Sequence, residues 1–144
     1  MAVDATETMH EFLTLLRRLR RYGRSMREVG LGGRKVSALR RLLQTGPQTV
    51  GQLRDYLYIS DSSTSEMIQG LEEAGNVRRT RSEEDNRVVI VTLTPTGHAV
   101  AERITLGGIP LLRESLRTLP PAKLKLVRKA LSELQGLLGA EDER

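Results

Sequence analysis

The side chains with the clearest chemical purpose in this sequence lie between Arg78 and Arg87. Four arginines fall within these ten positions, at 78, 79, 81 and 87, and Asp85 stands two residues before the last of them. A carboxylate at that spacing can hold a guanidinium in a fixed direction through charge-assisted hydrogen bonds. An arginine held at the tip of a hairpin suits insertion into a narrow, electronegative DNA minor groove. We therefore predict that Asp85 orients Arg87 toward DNA.

Residues typical of catalysis or metal binding are not grouped in the sequence. His10 and His98 lie on different predicted helices, and neither has a nucleophile or a second ligand at a suitable spacing. No Gly-x-Ser-x-Gly turn is present. The acidic runs Glu72–Glu73 and Glu83-Glu84-Asp85 are interpreted as solvated surface charge. We therefore predict that the protein is not an enzyme and has no catalytic residue, no metal site and no cofactor.

Length and composition narrow the class of protein. A chain of 144 residues fits one domain with a sizeable core. Its net charge of +5 and sequence pI of about 10.1 favour a polyanionic partner such as nucleic acid. Cysteine is absent, which excludes disulfides, thiolate metal sites and a cysteine redox switch. No apolar run is long enough for a membrane span or a signal-peptide core, so we expect no membrane partner and a cytoplasmic location.

Two short helices must position these residues, and the pattern from Thr49 to Gly75 predicts a helix-turn-helix. Thr49 and Gln52 have the spacing of a capping box, which satisfies free amide hydrogens at a helix start. The apolar pattern breaks at residues 58–60 and restarts in a cluster of small polar residues that are good N-caps. Gly75 stands where a left-handed residue would end the second helix. Two helices joined by such a short turn form a helix-turn-helix.

A β-hairpin follows directly. We predict that residues 77–81 and 87–93 pair across a polar tip at residues 82–86. The second arm is β-branched almost throughout, which favours a strand. The hairpin would carry the four arginines and Asp85 beside the second helix, in the arrangement known as a wing.

Three ordered segments resemble the winged helix-turn-helix core of MarR-type (multiple antibiotic resistance regulator) transcription regulators. They are Leu71-Glu72-Glu73-Ala74-Gly75-Asn76-Val77-Arg78-Arg79, Asp85-x-Arg87 and Leu93-Thr94-Pro95-Thr96-Gly97. The resemblance implies a sequence-specific double-stranded DNA-binding regulator that acts as a homodimer, represses from a pseudo-palindromic promoter site and is relieved by a small-molecule effector. No effector-binding residue is identified; structural roles are favoured for Arg17, Tyr22 and Arg40, which are conceivable lining residues.

The second helix departs from such relatives because residues 60–74 contain no Lys or Arg and carry four carboxylates. Glu66 and Gly70 stand where family members commonly have arginine. Base recognition would then depend on the outward-facing Ser62, Ser63, Ser65 and Gln69, since Ser and Gln can bind base edges. Attraction to phosphate would fall to Arg78, Arg79, Arg81 and Arg87, with help from Arg34 and Lys35.

The terminal helices are predicted to form a dimerisation layer around a DNA-binding lobe at residues 34–93. These helices span residues 4–29 and 95–138. The second is predicted to be interrupted near Gly107, Gly108 and Pro110. The whole chain, 1–144, is predicted to form one domain. The fold class is therefore mainly α with a small antiparallel β-hairpin (α+β). The predicted dimer residues recur at steps of three and four in the last helix, with one residue from the first: Leu124, Val127, Leu131, Leu134, Leu138 and Phe12. Packing within one chain is the alternative.

A winged-helix protein-interaction module with weak or lost DNA binding is the alternative function. The acidic second helix favours that alternative, whereas the Asp85-x-Arg87 wing favours DNA binding.

Overall fold

Seven helices and three short strands make up residues 2–139, the part of the chain that the computed structural model describes. In chain order they are α1 (Ala5–Glu28), α2 (Gly33–Thr45), β1 (Gln48–Thr49), α3 (Val50–Leu57), α4 (Asp61–Glu73), β2 (Val77–Arg81), β3 (Val89–Leu93), α5 (Pro95–Arg103), α6 (Gly108–Thr118) and α7 (Pro121–Leu137). The chain divides after Pro110 into two compact units. The predicted fold class, mainly α with a small antiparallel sheet, is confirmed.

Short polar side chains start the helices of the helix-turn-helix at the predicted residues. Thr49 Oγ1 accepts a hydrogen bond from Gln52 N (3.0 Å) and Gln52 Oε1 accepts one from Thr49 N (2.9 Å), so α3 begins with a complete capping box. Ser60 Oγ accepts from Ser63 N (3.2 Å) and caps α4. These caps satisfy amide hydrogens that a helix start leaves free. The turn between α3 and α4 therefore falls at residues 58–60, as predicted.

The wing is a three-stranded antiparallel sheet in the order β1-β3-β2. The prediction that the second arm begins at Arg87 is wrong, because β3 begins at Val89. Val88 N donates to Asp85 O (2.9 Å), so the tip closes as a turn and leaves Arg87 outside the strand ladder. β1 was not predicted, since two residues are too short to show periodicity.

The hydrophobic core of the first unit lies between α2, α3, α4 and the sheet. Its fully buried side chains include Val36, Leu39, Leu53, Ile68, Leu71 and Val91. The buried positions of α4 recur at intervals of three and four: Thr64, Met67, Ile68 and Leu71. Burial of this face turns the remaining polar side chains of α4 outward.

The start of α5 packs directly on the turn between α4 and β2. Thr94 Oγ1 donates to Gly75 O (2.5 Å) and accepts from Gly97 N (3.0 Å), while Thr94 N donates to Asn76 O (3.1 Å). A Cβ built on Gly97 would lie 1.8 Å from Asn76 O. The Leu-Thr-Pro-x-Gly segment therefore fastens α5 behind the wing, and its glycine allows a backbone contact that any side chain would block.

Tyr22 of α1 lies against the connection between α5 and α6. Its hydroxyl donates to Thr105 O (3.0 Å), and burial raises the pKa of this phenol. Side chains at Gly107 or Gly108 would collide with the ring, because Cβ atoms built there lie 2.3 and 2.9 Å from it. The predicted interruption of the long C-terminal helix is confirmed, since α5 ends at Arg103 and α6 begins at Gly108.

α7 in the second unit carries a row of partly and fully exposed apolar side chains. Leu124 and Val127 are half-buried, whereas Leu131, Leu134 and Leu138 are exposed. Phe12 in α1 of the first unit is also half-buried. The dimer interface that these residues were predicted to form stays a prediction. Among the described helices, none combines the length and the apolar character that crossing a membrane requires.

Candidate nucleic-acid interface

The outward face of α4 carries the four side chains that were predicted to read bases. Ser62, Ser65 and Gln69 are exposed, and Ser63 is half-buried. Gln69 Nε2 donates to Glu73 Oε1 (3.1 Å), which orients the amide along the helix surface. Hydroxyl and amide groups on an exposed helix can donate to and accept from base edges in a major groove.

The wing holds Arg87 in the predicted manner. Asp85 Oδ1 accepts hydrogen bonds from both Arg87 N (3.1 Å) and Arg87 Nε (3.2 Å). Asp85 is itself half-buried, and its backbone N donates to Ser82 Oγ (3.5 Å). The Arg87 side chain is 91% exposed. The guanidinium is thus anchored through Nε and projects its remaining N–H groups away from the wing.

β2 contains the other predicted phosphate-binding arginines, which have different partners. Arg78 is exposed. Arg81 Nη1 donates to Asn86 O (2.9 Å), so this arginine braces the tip that carries Arg87. The Arg81 guanidinium therefore stabilises the wing tip through one N–H group, and its other N–H groups are available to bind an anion.

Arg79 joins β2 to α4 through Glu72. Glu72 Oε1 accepts from Arg79 Nη2 (2.8 Å) and Nε (3.2 Å), and Oε2 accepts from Arg79 N (3.1 Å). These hydrogen bonds lower the pKa of the Glu72 carboxyl and raise that of Arg79. The interpretation of Glu72 as merely solvated charge was wrong, because the carboxylate anchors the wing to α4. The role of Arg79 as a phosphate contact stays a prediction.

Arg54 of α3 makes a second link to α4 that was not predicted. Its Nη1 donates to Asp61 Oδ1 (2.8 Å) and its Nε to Asp55 Oδ1 (3.0 Å). These hydrogen bonds, first that to Asp61 and then that to Asp55, raise the pKa of Arg54. Asp61 lies in the first turn of α4, where a carboxylate also interacts favourably with the helix dipole. The pair bridges the two helices of the helix-turn-helix.

Two clefts border α4. A cleft of about 450 Å³ lies between α4 and the wing and brings together Ser65, Arg79, Arg87, Val88 and residues at the start of α3. A larger one of about 890 Å³ lies between α4 and the connection from α1 to α2. Cations and carboxylates both line the larger cleft: Arg27, Arg34, Lys35, Glu66 and Glu73. Ser65 therefore lines the same cleft as the wing residues Arg79 and Arg87, whereas Ser63 and Gln69 line the larger cleft.

The sequence and the fold are both similar to those of known regulators. The protein-family model described as "MarR family" matches residues 34–89 of this chain. Two curated relatives from Bacillus subtilis (strain 168) are the uncharacterized HTH-type transcriptional regulators YsmB and YfiV. YsmB is 26% identical over 94 residues, which are 65% of this chain. YfiV is 31% identical over 104 residues, which are 72% of this chain. The matches cover 64% and 65% of these relatives, so the chain spans slightly less than two thirds of their length.

Among solved structures, reduced AbfR bound to DNA is 24% identical with a TM-score of 0.61, and the match covers 93% of each chain. AbfR in a disulfide-formed state is 22% identical with a TM-score of 0.64, over 90% of this chain and 89% of that one. At these identities the likeness shows a shared fold.

Proposed function

We propose that this chain, whose residues 34–89 match the MarR family model, is a double-stranded DNA-binding transcription regulator of that family and acts as a homodimer. The observation that carries the proposal is the wing, in which Asp85 holds an exposed Arg87 beside the polar face of α4. In the proposed complex, α4 enters the major groove and Arg87 enters the neighbouring minor groove. A pseudo-palindromic promoter site matches the two-fold symmetry of such a dimer. We propose that occupation of this site represses transcription.

The acidic character of α4 is compatible with this function, because cations of neighbouring elements offset part of it. Asp61 is paired with Arg54, and Glu72 is paired with Arg79. Both pairs are partly exposed, so each is worth little as a source of stability. Two of the four carboxylates on α4 are therefore each paired with an arginine, and this reduces their repulsion of DNA phosphates.

Relief of repression cannot proceed through a cysteine thiol of this chain. AbfR has been solved in reduced and disulfide-formed states. The sequence of this protein contains no cysteine, so no disulfide can form within it. We therefore propose that repression is relieved by the binding of a small molecule and not by disulfide formation.

Substitutions in the wing test the proposed function. Arg87→Ala should weaken binding to DNA from upstream of the protein's own coding sequence by about 1–3 kcal/mol. Asp85→Ala should also weaken binding, although it removes a negative charge, because Arg87 loses the acceptor that orients it. Binding would be measured by fluorescence anisotropy at several salt concentrations.

Glu83→Ala is the matched control for Asp85→Ala. Glu83 is exposed on the same tip, and its removal changes net charge equally. Pure attraction between charges predicts tighter binding by both variants. The orienting role requires the two to differ, so equal gains in affinity would refute it.

A protein-interaction module is the second candidate function, and the lack of any Lys or Arg in α4 favours it. The two functions predict different behaviour of the outward face of α4. If α4 lies in the groove, Gln69→Ala should reduce the preference for specific over random DNA and leave the salt dependence nearly unchanged, because base contacts discriminate sequence. Arg81→Ala should instead weaken both DNAs alike and flatten the dependence of log K on log salt by about one unit.

Glu66→Arg completes this series of measurements. Glu66 is exposed on α4, so replacing it with a cation should raise affinity for every duplex if this face meets DNA. Unchanged binding of all duplexes would place α4 outside the groove and favour the interaction module.

A further inference from the structure

A lysine from another helix crosses the last turn of α4. Lys35 lies in the first turn of α2, and its side chain passes over Gly70. A Cβ built on Gly70 would lie 2.9 Å from Lys35 Nζ and 3.1 Å from Lys35 Cε. The ammonium therefore occupies the space in which a side chain at position 70 would begin.

We propose that Lys35 supplies the phosphate-binding cation that α4 itself lacks. The inference rests on the proposed DNA-binding function. Helix α4 (Asp61–Glu73) contains no Lys or Arg, and the positive charge that it lacks is assigned to Lys35. In this arrangement the cation belongs to α2, but its ammonium lies against the last turn of α4.

The contacts of Lys35 leave it able to bind an external anion. Its Nζ donates to Gly30 O (3.3 Å), which uses one of three N–H groups. Among residues 2–139, Lys35 takes part in no ion pair, in contrast to Arg54 and Arg79, which are bound to carboxylates of α4. Of the cations that the structure places against α4, Lys35 is thus one whose charge is not already matched by a carboxylate of that helix.

The residues that the structure describes around Lys35 favour the position of its ammonium above Gly70 but form no ion pair with it. Glu66 and Glu73 line the same cleft and attract the ammonium toward α4. Arg27 and Arg34 line the same cleft, which is open to solvent, so a phosphate that enters it meets three cations. Gly70 is unfavourable in a helix interior relative to alanine, and its missing side chain provides the room that Lys35 uses.

The first test removes the cation. Lys35→Ala should weaken the binding of the full chain to its own upstream DNA and to a short mixed-sequence duplex by about tenfold each, as expected for one lost charge-assisted hydrogen bond. The salt dependence should flatten by about one unit, since one phosphate contact is lost. Arg103→Ala is the control of equal charge: Arg103 is exposed at the end of α5 and does not line the cleft, so its removal should leave the salt dependence unchanged.

The second test returns the cation from the other helix. In the double variant Lys35→Ala with Gly70→Lys, the new lysine starts from α4 in the space that the alanine vacates. This exchange should restore most of the lost affinity and the original salt dependence. A circular dichroism spectrum and melting temperature for each variant show whether the fold is retained.

The possible outcomes separate the inference from the proposed function. If the wild-type protein binds neither duplex, the DNA-binding function itself fails and the inference falls with it. If the wild type binds and Lys35→Ala binds equally well with the same salt dependence, only the role of Lys35 is overturned. A folded exchange variant that binds as weakly as Lys35→Ala would likewise refute the assignment of this charge to the surface above Gly70.

Discussion

Replacing Gly97 with alanine is expected to lower the free energy of unfolding by about 3 kcal/mol, at the upper end of what overpacking usually costs. The added Cβ would lie 1.8 Å from Asn76 O, 2.7 Å from Asn76 C and 3.0 Å from Asn76 Cα. The obstacle is backbone and cannot rotate away as a side chain would. The melting temperature should fall by roughly 10 °C for a chain of this length. Thermal and urea unfolding followed by circular dichroism measure both quantities.

Gly51→Ala is the matched control, and it should change stability in the opposite direction. Gly51 is also in the first turn of a helix, but the atoms nearest to its added Cβ are side-chain atoms at 3.6 and 3.9 Å. Alanine there gains helix propensity worth about 0.5–1 kcal/mol. Gly97→Ala also gains propensity, so a stable Gly97→Ala variant would contradict the close approach of α5 to the α4–β2 turn.

Features that depend on neighbours in the sequence were predicted well. The capping box at Thr49 and Gln52 and the N-cap at Ser60 follow from side chains that reach amides three residues away. The hydrogen bonds between Asp85 and Arg87 span two residues. In each case the chain itself fixes the distance between the groups, so the residue types and their spacing were sufficient.

Features that depend on the angle between two elements were not predicted. Glu72 and Arg79 lie on α4 and β2, and Arg54 and Asp61 lie on α3 and α4; both pairs are seven residues apart. That separation has no fixed distance until the turn between the elements is known. The position of Lys35 above Gly70 is a stronger case, because 35 residues separate them and no periodicity relates α2 to α4.

The turn of the helix-turn-helix shows a conflict between residue type and conformation. Tyr58 ends α3 with φ of 56°, in the left-handed region that glycine and asparagine usually occupy. Its side chain is also 94% exposed. The sequence predicted where the pattern breaks, but a tyrosine carries no signal for left-handed backbone, so the conformation of the turn could not be foreseen.

Replacing Leu131 with aspartate is expected to abolish the proposed homodimer while the protomer stays folded. Leu131 is 51% exposed in the protomer, so a carboxylate there can remain hydrated in the monomer. In a dimer that covers the row formed with Val127 and Leu134, the same charge would be buried without a partner, and this costs several kcal/mol. Sedimentation velocity over a range of concentrations should show monomer alone, and circular dichroism should show retained helix.

Leu126→Asp distinguishes loss of this interface from a general effect of charge on α7. Leu126 is 68% exposed on the same helix, but it falls outside the steps of three and four that relate Leu124, Val127 and Leu131. It should therefore leave the dimer intact. If Leu131→Asp is dimeric at the same concentrations as the wild type, the row on α7 is not the dimer interface. Because a two-fold site requires both subunits, the loss of dimer should also be accompanied by weaker binding to the full promoter site.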